Sequence, residues 1–384
     1  MSEWKKVKLG EICGRVTSGG TPKANVSSYF NPPTIPWLKT KEVNYCRITE
    51  TENYISEEGL KNSSAKIISP NSVIIAMYGQ GDTAGRVAIN KIPLATNQAC
   101  CNLTIDKSKA DYEFIYYQLC TLYDKLVSLK AGAAQPNLNA RIIKNLEIIM
   151  PPLPIQHRIA TILSRYDSLI ENYQKQIKLL KEAAQRLYKE WFVDFHFPGH
   201  ETTKIVEGVP EGWTPSQLGQ LAEFKRGKTI TKKDVIDGDI PVVAGGLEPA
   251  YYCNKSNTAE RVITISGSGA NAGFTRMYFE KVWASDCSFV DASTTPFLHF
   301  VYCFLKDNKT TIDNLQKGAA QPHVYAKDIN SMELCIPIES VIKSFERTAS
   351  KYFDTISSLQ SQLWLLTEAR DRLLPKLMSG AIEV

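Results

Sequence analysis

The chain has 384 residues, 43% of them hydrophobic and 22% charged, with a formal net charge of +5. That length exceeds what one hydrophobic core usually supports, so two domains are expected, and the composition excludes a disordered, collagen-like or membrane-spanning chain. The mild excess of Lys and Arg permits a nucleic-acid partner, and the start, Met1-Ser2-Glu3-Trp4-Lys5-Lys6-Val7, lacks the apolar stretch of a secretory signal, so a cytoplasmic location is expected.

In chain order, residues 72–77 and 85–89 read as strands flanking the glycine-rich connection Tyr78-Gly79-Gln80-Gly81. Residues 113–129 have helical character and lead into Gly132-Ala133-Ala134-Gln135-Pro136, where glycine suits a helix end and proline blocks its continuation. After the break Pro151-Pro152-Leu153-Pro154, apolar residues recur at Ile159, Ile162, Tyr166, Leu169, Tyr173, Ile177, Leu180, Ala184, Leu187 and Trp191. Steps of three and four predict a long amphipathic helix. The second half repeats the plan: strands over 261–266 and 274–279 around Gly267-Ser268-Gly269, a helix over 295–305, then Gly318-Ala319-Ala320-Gln321-Pro322. It closes on a helix with one heptad row of Phe345, Tyr352, Leu359, Leu366 and Leu373. A second row of Ala349, Ile356, Leu363 and Leu377 is interrupted by Arg370.

The two halves form a duplicated unit. The Gly-Ala-Ala-Gln-Pro segments are displaced by 186 positions (132 to 318), and the same shift carries Met150-Pro151 onto Ile336-Pro337 and Tyr166, Ile170, Leu180 and Leu187 onto Tyr352, Ile356, Leu366 and Leu373. Upstream the register drifts, with Lys8-Leu9-Gly10 answering Gln217-Leu218-Gly219. The expected fold is therefore α+β: two β-rich domains in tandem pseudo-repeat, each followed by a long helix, the two helices pairing as an antiparallel coiled coil. The boundaries are 1–150 for the first β-rich domain, 151–200 for the central helical region, 201–338 for the second domain and 339–384 for the C-terminal helical region.

Motifs for catalysis are sparse. Asn31-Pro32-Pro33-Thr34 resembles the tetrapeptide of amino-methyltransferases but ends in Thr where an aromatic should stack on the flipped base, and no cofactor loop accompanies it. Gly267-Ser268-Gly269-Ala270-Asn271-Ala272-Gly273 leads into a strand, not a helix, so it is no dinucleotide fingerprint. No Walker A sequence, GxSxG elbow or HExxH is present, and the histidines share no ligand spacing. Nine cysteines, from Cys13 to Cys335, lack paired zinc spacing and read as buried free thiols. No catalytic residue, metal or cofactor is expected in this chain. What remains is basic and hydroxyl side chains in loops, suited to phosphates and base edges: Arg15, Thr17, Lys23, Lys39, Lys41 and Arg86, then Lys225, Arg226, Lys228, Lys232, Lys233 and Arg276.

The Gly-Ala-Ala-Gln-Pro segment, a following apolar strand, Pro151-Pro152-Leu153-Pro154-Ile155-Gln156-His157-Arg158 and a long helix, in a unit given twice, resemble the specificity subunit of type I restriction-modification systems. Trp4-Lys5-Lys6-Val7-Lys8-Leu9-Gly10 and its echo around Trp213 to Gly219 resemble the start of each target-recognition domain. The second copy of the Pro-Pro-Leu segment has decayed to Ile336-Pro337-Ile338-Glu339. The resemblance implies a non-catalytic subunit in which each domain reads half of a bipartite, asymmetric double-stranded DNA target. It implies two modification subunits carrying S-adenosylmethionine, two restriction subunits carrying ATP and Mg chemistry, and partner docking near Pro151, Pro152, Leu153 and Gln156. It also makes the helices a ruler: residues 345–377 would span roughly 48 Å at about 1.5 Å per residue. A self-contained methyltransferase or nuclease, and a coiled-coil scaffold that binds no DNA, are the competing readings.

Overall fold

The computed structural model describes residues 4–130, 137–318 and 321–384. The chain forms two units, Met1–Glu171 with Leu365–Val384, and Asn172–Trp364. Each unit is built on the same frame. In the first, strand Lys5–Lys8 pairs antiparallel with Glu147–Met150, Lys5 opposite Met150. In the second, Thr214–Gln217 pairs with Glu333–Ile336, Thr214 opposite Ile336. The Leu-Gly turns that follow dock alike: Leu9 N–H donates to Leu146 O at 2.9 Å and Leu218 N–H to Met332 O at 2.8 Å. A Cβ on Gly10 would lie 3.1 Å from Lys144 O, and one on Gly219 2.9 Å from Asn330 Cβ. Glycine is what lets both turns lie against the short helices Ala140–Lys144 and Ala326–Asn330.

The predicted strands are present as Val73–Ala76 with Val87–Asn90, and Val262–Ser266 with Thr275–Tyr278, each pair antiparallel. On the far side of Val73–Ala76 lies Cys100–Ile105 and then Cys13–Ser18; on the far side of Val262–Ser266 lie Cys287–Asp291 and Lys225–Arg226. A smaller sheet that contains a parallel pair accompanies each: Ile35–Leu38 beside Leu94–Thr96, and Ile240–Val243 beside Trp283–Ala284. Sequence reading found neither these smaller sheets nor the inner strands, because their short apolar runs carry no distinctive period. The helices expected over 113–129 and 295–305 are each followed or broken by a bend, giving Tyr112–Cys120 with Tyr123–Ser128 and Leu298–Asp307 with Lys309–Asn314.

The long helices run unbroken over Leu153–Phe192 and Glu339–Met378. Within the first unit, Ile159, Ala160 and Leu163 share one core with Leu377 and Met378. Within the second, Ile177, Ala184, Tyr188 and Trp191 share one with Phe345, Ala349, Phe353 and Ile356, and the rings of Trp191 and Phe345 are 6.0 Å apart. Early residues of one helix meet late residues of the other, so the pairing is antiparallel. The buried row on the first helix is Leu163, Ile170, Ile177, Ala184 and Trp191, at steps of seven. Of the expected seam, Ile159 and Ile177 are buried, whereas Ile162, Tyr166, Tyr173, Leu180 and Leu187 flank it half-buried. Leu169 is a correction: it is 42% exposed, one position before the buried Ile170 and turned away from the core. On the second helix Phe345, Ile356 and Leu359 are buried, while Tyr352, Leu363, Leu366 and Leu373 are partly covered.

A buried charge cluster holds the first β-rich domain to the helices of its unit. The Arg47 side chain, 6% exposed, lies 3.6 Å from Asp167, 3.2 Å from Glu171 and 3.7 Å from Glu113. Asp167 also accepts from Tyr117 Oη at 2.5 Å and from Arg370 Nη1 at 2.8 Å. Burial opposes the charge on Arg47, but Tyr117 and the three carboxylates outweigh it and hold the guanidinium above its ordinary pKa. Arg370, which interrupted the heptad row, is thus spent on a buried carboxylate. At the positions 186 further on from Glu113 and Asp167 stand His299 and Phe353, whose rings stack at 4.7 Å. Where the first unit pairs charges the second stacks rings, and His299 Nδ1 there also bonds Glu346 at 2.7 Å.

All nine cysteines are free; Cys100, Cys101, Cys253, Cys287 and Cys303 are buried, and Cys13, Cys46, Cys120 and Cys335 are half-buried. Burial pushes the thiols of Cys101 and Cys287 up to about 12, so both stay protonated and poorly nucleophilic. Among the described residues no helix is long and apolar enough to cross a membrane.

Candidate nucleic-acid interface

In each unit some of the candidate residues lie beside the glycine-rich connection, as Arg226 does against Gly267. Strand Cys13–Ser18 carries Arg15 and Thr17, and its pairing sets Thr17 opposite Asn102. The matching strand Lys225–Arg226 sets Lys225 opposite Phe289. Both end in a glycine pressed on backbone: a Cβ would come 2.1 Å from Thr96 O at Gly19 and 2.4 Å from Ser285 O at Gly227. A tryptophan pins each following loop, Trp37 Nε1–H donating to Gly20 O at 3.0 Å and Trp283 Nε1–H to Lys228 O at 2.7 Å. Lys39 Nζ sits 5.0 Å from the Trp37 ring centre, an amphipathic contact that leaves the charge near the surface. A Cβ on Gly79 would lie 3.4 Å from Thr40 Oγ1, which brings the glycine-rich loop of the first unit beside Lys39 and Lys41.

The described residues next to the Gly-Ala-Ala-Gln-Pro segments join this arrangement. Residues 131–136, 319 and 320 lie outside the described residues, but their flanks do not. Leu138 N–H donates to Met77 O at 3.0 Å and Val324 N–H to Gly267 O at 3.1 Å, 186 positions apart, and Gly269 N–H donates to Pro322 O at 3.0 Å. The described residues that follow each segment, Leu138 and Val324, are therefore tied to the loop between the paired strands.

The candidates divide by charge pairing. Arg86 bonds Asp82 at 2.6 Å and Asn44 at 3.0 Å, Lys41 pairs with Glu52, and Arg226 pairs with Asp286, whose carboxylate also accepts from Ser268. Arg276 bonds Leu247 O at 2.8 Å and Glu248 at 3.2 Å, above the Tyr278 ring. Arg15, Lys23, Lys225, Lys228, Lys232 and Lys233 lie at or near the surface, and among the described residues their side chains make no ion pair. An exposed pair is worth less than about 1 kcal/mol, so a phosphate can displace the carboxylate, but a free ammonium needs no displacement. Two cations that sequence reading passed over, Lys181 and Lys306, lie in the second unit on the faces of helices, where nothing in the local sequence separates them from solvated surface charge.

The segment expected to dock partners is partly interior. Gln156 is 1% exposed, donating to Pro151 O at 2.8 Å and accepting from Asp111 N–H at 3.0 Å, and Pro151 is buried. This corrects the expectation for both: their groups are used up in seating the helix start. Pro152 and Leu153 stay at or near the surface.

The family model described as "Type I restriction modification DNA specificity domain" matches residues 1–182 and 210–360. A relative, the type I restriction enzyme MjaIX specificity subunit of Methanocaldococcus jannaschii, is 28% identical over 412 aligned positions, covering 100% of this chain and 94% of its own. The EcoR124I/EcoR124II specificity subunit of Escherichia coli is 29% identical over 52% of this chain and 50% of its own. The crystal structure of a type I restriction-modification S subunit from M. genitalium shares the fold, with a TM-score of 0.67 over 98% of this chain and 96% of that one at 19% identity.

Proposed function

The chain belongs to the family of type I restriction modification DNA specificity domains, and from that premise we propose that it is the DNA-reading, non-catalytic subunit of a type I restriction-modification complex. Residues 1–150 and 201–338 act as the two target-recognition domains, each reading one half of a bipartite, asymmetric duplex target. The helical regions 151–200 and 339–384 set the gap between the halves and dock the two modification subunits, with Pro152 and Leu153 among the contacts. Methyl transfer belongs to those subunits with S-adenosylmethionine, and cleavage to two restriction subunits with ATP and Mg. The complex works in the cytoplasm, where its DNA is.

One observation carries the asymmetric reading: the same frame presents different side chains at matched positions. Thr17 and Ser18 stand where the second unit has Lys225 and Arg226, in the strand pairings of the two units. Hydroxyls and guanidinium or ammonium groups read different base edges, so two unlike half-sites follow. Arg15, Lys23, Lys228, Lys232 and Lys233, which make no ion pair among the described residues, serve as phosphate contacts that fix register. Co-expression with and without the adjacent modification subunit, followed by an adenine-methylation map of host DNA, tests the proposal. A gapped, two-part motif that appears only with both supports it. Methylation by this chain alone, a palindromic motif, or no methylation in either case overturns it.

A further inference from the structure

The second unit contains a cavity of about 420 Å³ whose lining includes Lys181, Arg276 and Lys306 over Phe274, Tyr302 and Phe353. Lys181 comes from the first long helix, Arg276 from strand Thr275–Tyr278 and Lys306 from helix Leu298–Asp307, so three separate elements deliver cations to one space. Among the described residues, Glu248 is the one carboxylate in the lining, and Arg276 engages it at 3.2 Å. Lys306 Nζ reaches only a backbone oxygen, Thr275 O at 3.4 Å, and the Tyr302 ring at 5.8 Å. Lys181 has no ion pair among the described residues. Burial, then the nearby Lys306 and Arg276, lower the pKa of Lys181; burial, then Lys309, lower that of Lys306. Lys181 and Lys306 nevertheless remain exposed, so water screens their mutual repulsion, and an anion entering the cavity meets three cations at once. A second cavity, of about 490 Å³, has Asp328 and Glu333 in its lining and, among the described residues, no Lys or Arg, which disfavours an anion there.

We propose that this cavity is a phosphate-binding site, in which Lys181 and Lys306, flanked by Arg276, hold a backbone phosphodiester of the bound duplex; the assignment to DNA rests on the recognition function proposed above. A phosphate accepts several charge-assisted hydrogen bonds at once. Because Lys181 lies on the long helix, this contact ties the helix itself to the DNA backbone, which fixes register without reading sequence.

The test uses the full chain and a Lys181→Gln/Lys306→Gln double variant, with Lys181→Arg/Lys306→Arg as the charge-conserving control. Duplex affinity is measured between about 50 and 200 mM salt. With the shared phosphate no longer neutralised, the slope of log K against log salt falls by about 0.9, equally for target and unrelated duplexes, and the Arg control keeps the wild-type slope. A double variant with wild-type affinity and slope overturns the DNA assignment. Thermal midpoints with inorganic phosphate and no DNA form a separate arm: phosphate raises the wild-type midpoint and leaves that of the Gln variant unmoved. If the wild type binds no duplex yet shows this difference, the site stands and the recognition reading falls. If duplex binding is unaffected while phosphate protection disappears, the site takes free phosphate and the DNA assignment falls. Absence of both effects overturns the site. The ligand-free Gln variant melts close to wild type, since both replaced side chains are exposed.

Discussion

Asp167 gathers more binding partners than any one residue of its surroundings could replace. It takes a hydrogen bond from Tyr117 at 2.5 Å and one from Arg370 at 2.8 Å, with Arg47 at 3.6 Å, so its removal takes an acceptor from Tyr117 and Arg370 and leaves Arg47 with Glu113 and Glu171 and Arg370 with Asp371. Losing hydrogen bonds to a charged group costs about 1.5–3 kcal/mol, because the donors lose their acceptor without regaining water. Asp167→Ala is expected to lower the unfolding free energy by about that much in urea titration, and a loss under about 1 kcal/mol contradicts the structural role given to the cluster. The surface charges divide in the same way: an Arg in a pair and a free Lys look alike in sequence, and Arg226 beside Asp286 differs from Lys225 only through a residue 60 positions away. Alignment of the halves singled out the loops that carry the candidate side chains. It did not reveal which of their charges are already neutralised.

At the scale of the element, the two long helices show how a period can be right while its phase is off. Steps of three and four along 159–191 are compatible with two neighbouring apolar rows, and sequence reading took one in full, through Ile159, Tyr166, Tyr173, Leu180 and Leu187, with only Ile177, Ala184 and Trp191 from its neighbour. The core selects the adjoining one, through Leu163, Ile170, Ile177, Ala184 and Trp191. Aromatic and large side chains flank the seam because their stems pack against it while their tips reach water. Truncation distinguishes the rows. Phe345→Ala, at a fully buried position, is expected to cost about 3–5 kcal/mol through reduced burial and the cavity left behind. Leu169→Ala, at a position 42% exposed, is expected to cost less than about 0.5 kcal/mol. Equal losses in thermal or urea unfolding contradict the seam described here.

At the scale of the whole molecule, the proposed ruler makes a prediction separate from half-site recognition. Inserting one heptad into each long helix at facing levels keeps the apolar rows in phase and adds about 10.5 Å at ~1.5 Å per residue. At ~3.4 Å per base pair that is about three base pairs of spacer. A methylation map of the insertion variant is expected to show both half-sites unchanged and the gap lengthened; an altered half-site, or an unchanged gap, contradicts the ruler. Antiparallel pairing makes this reasonable, since both helices must lengthen together for either seam to stay filled.

What the sequence determined by itself is what depends on order along the chain: the duplication with its shift of 186, the two long amphipathic helices, the paired strands around the glycine-rich loops, and through these the family resemblance. Periodicity and repeated spacing are local properties, so they survive without coordinates. Only the tertiary structure decided what depends on distance between remote positions: the smaller sheets with their parallel pairs, the exposure of Leu169, the burial of Gln156, and the charge pairing around the recognition loops. Lys181, Arg276 and Lys306 come from three separate elements and share one cavity, and no pattern along the chain announces that meeting. Electrostatic energy falls with separation in space, and folding alone sets that separation.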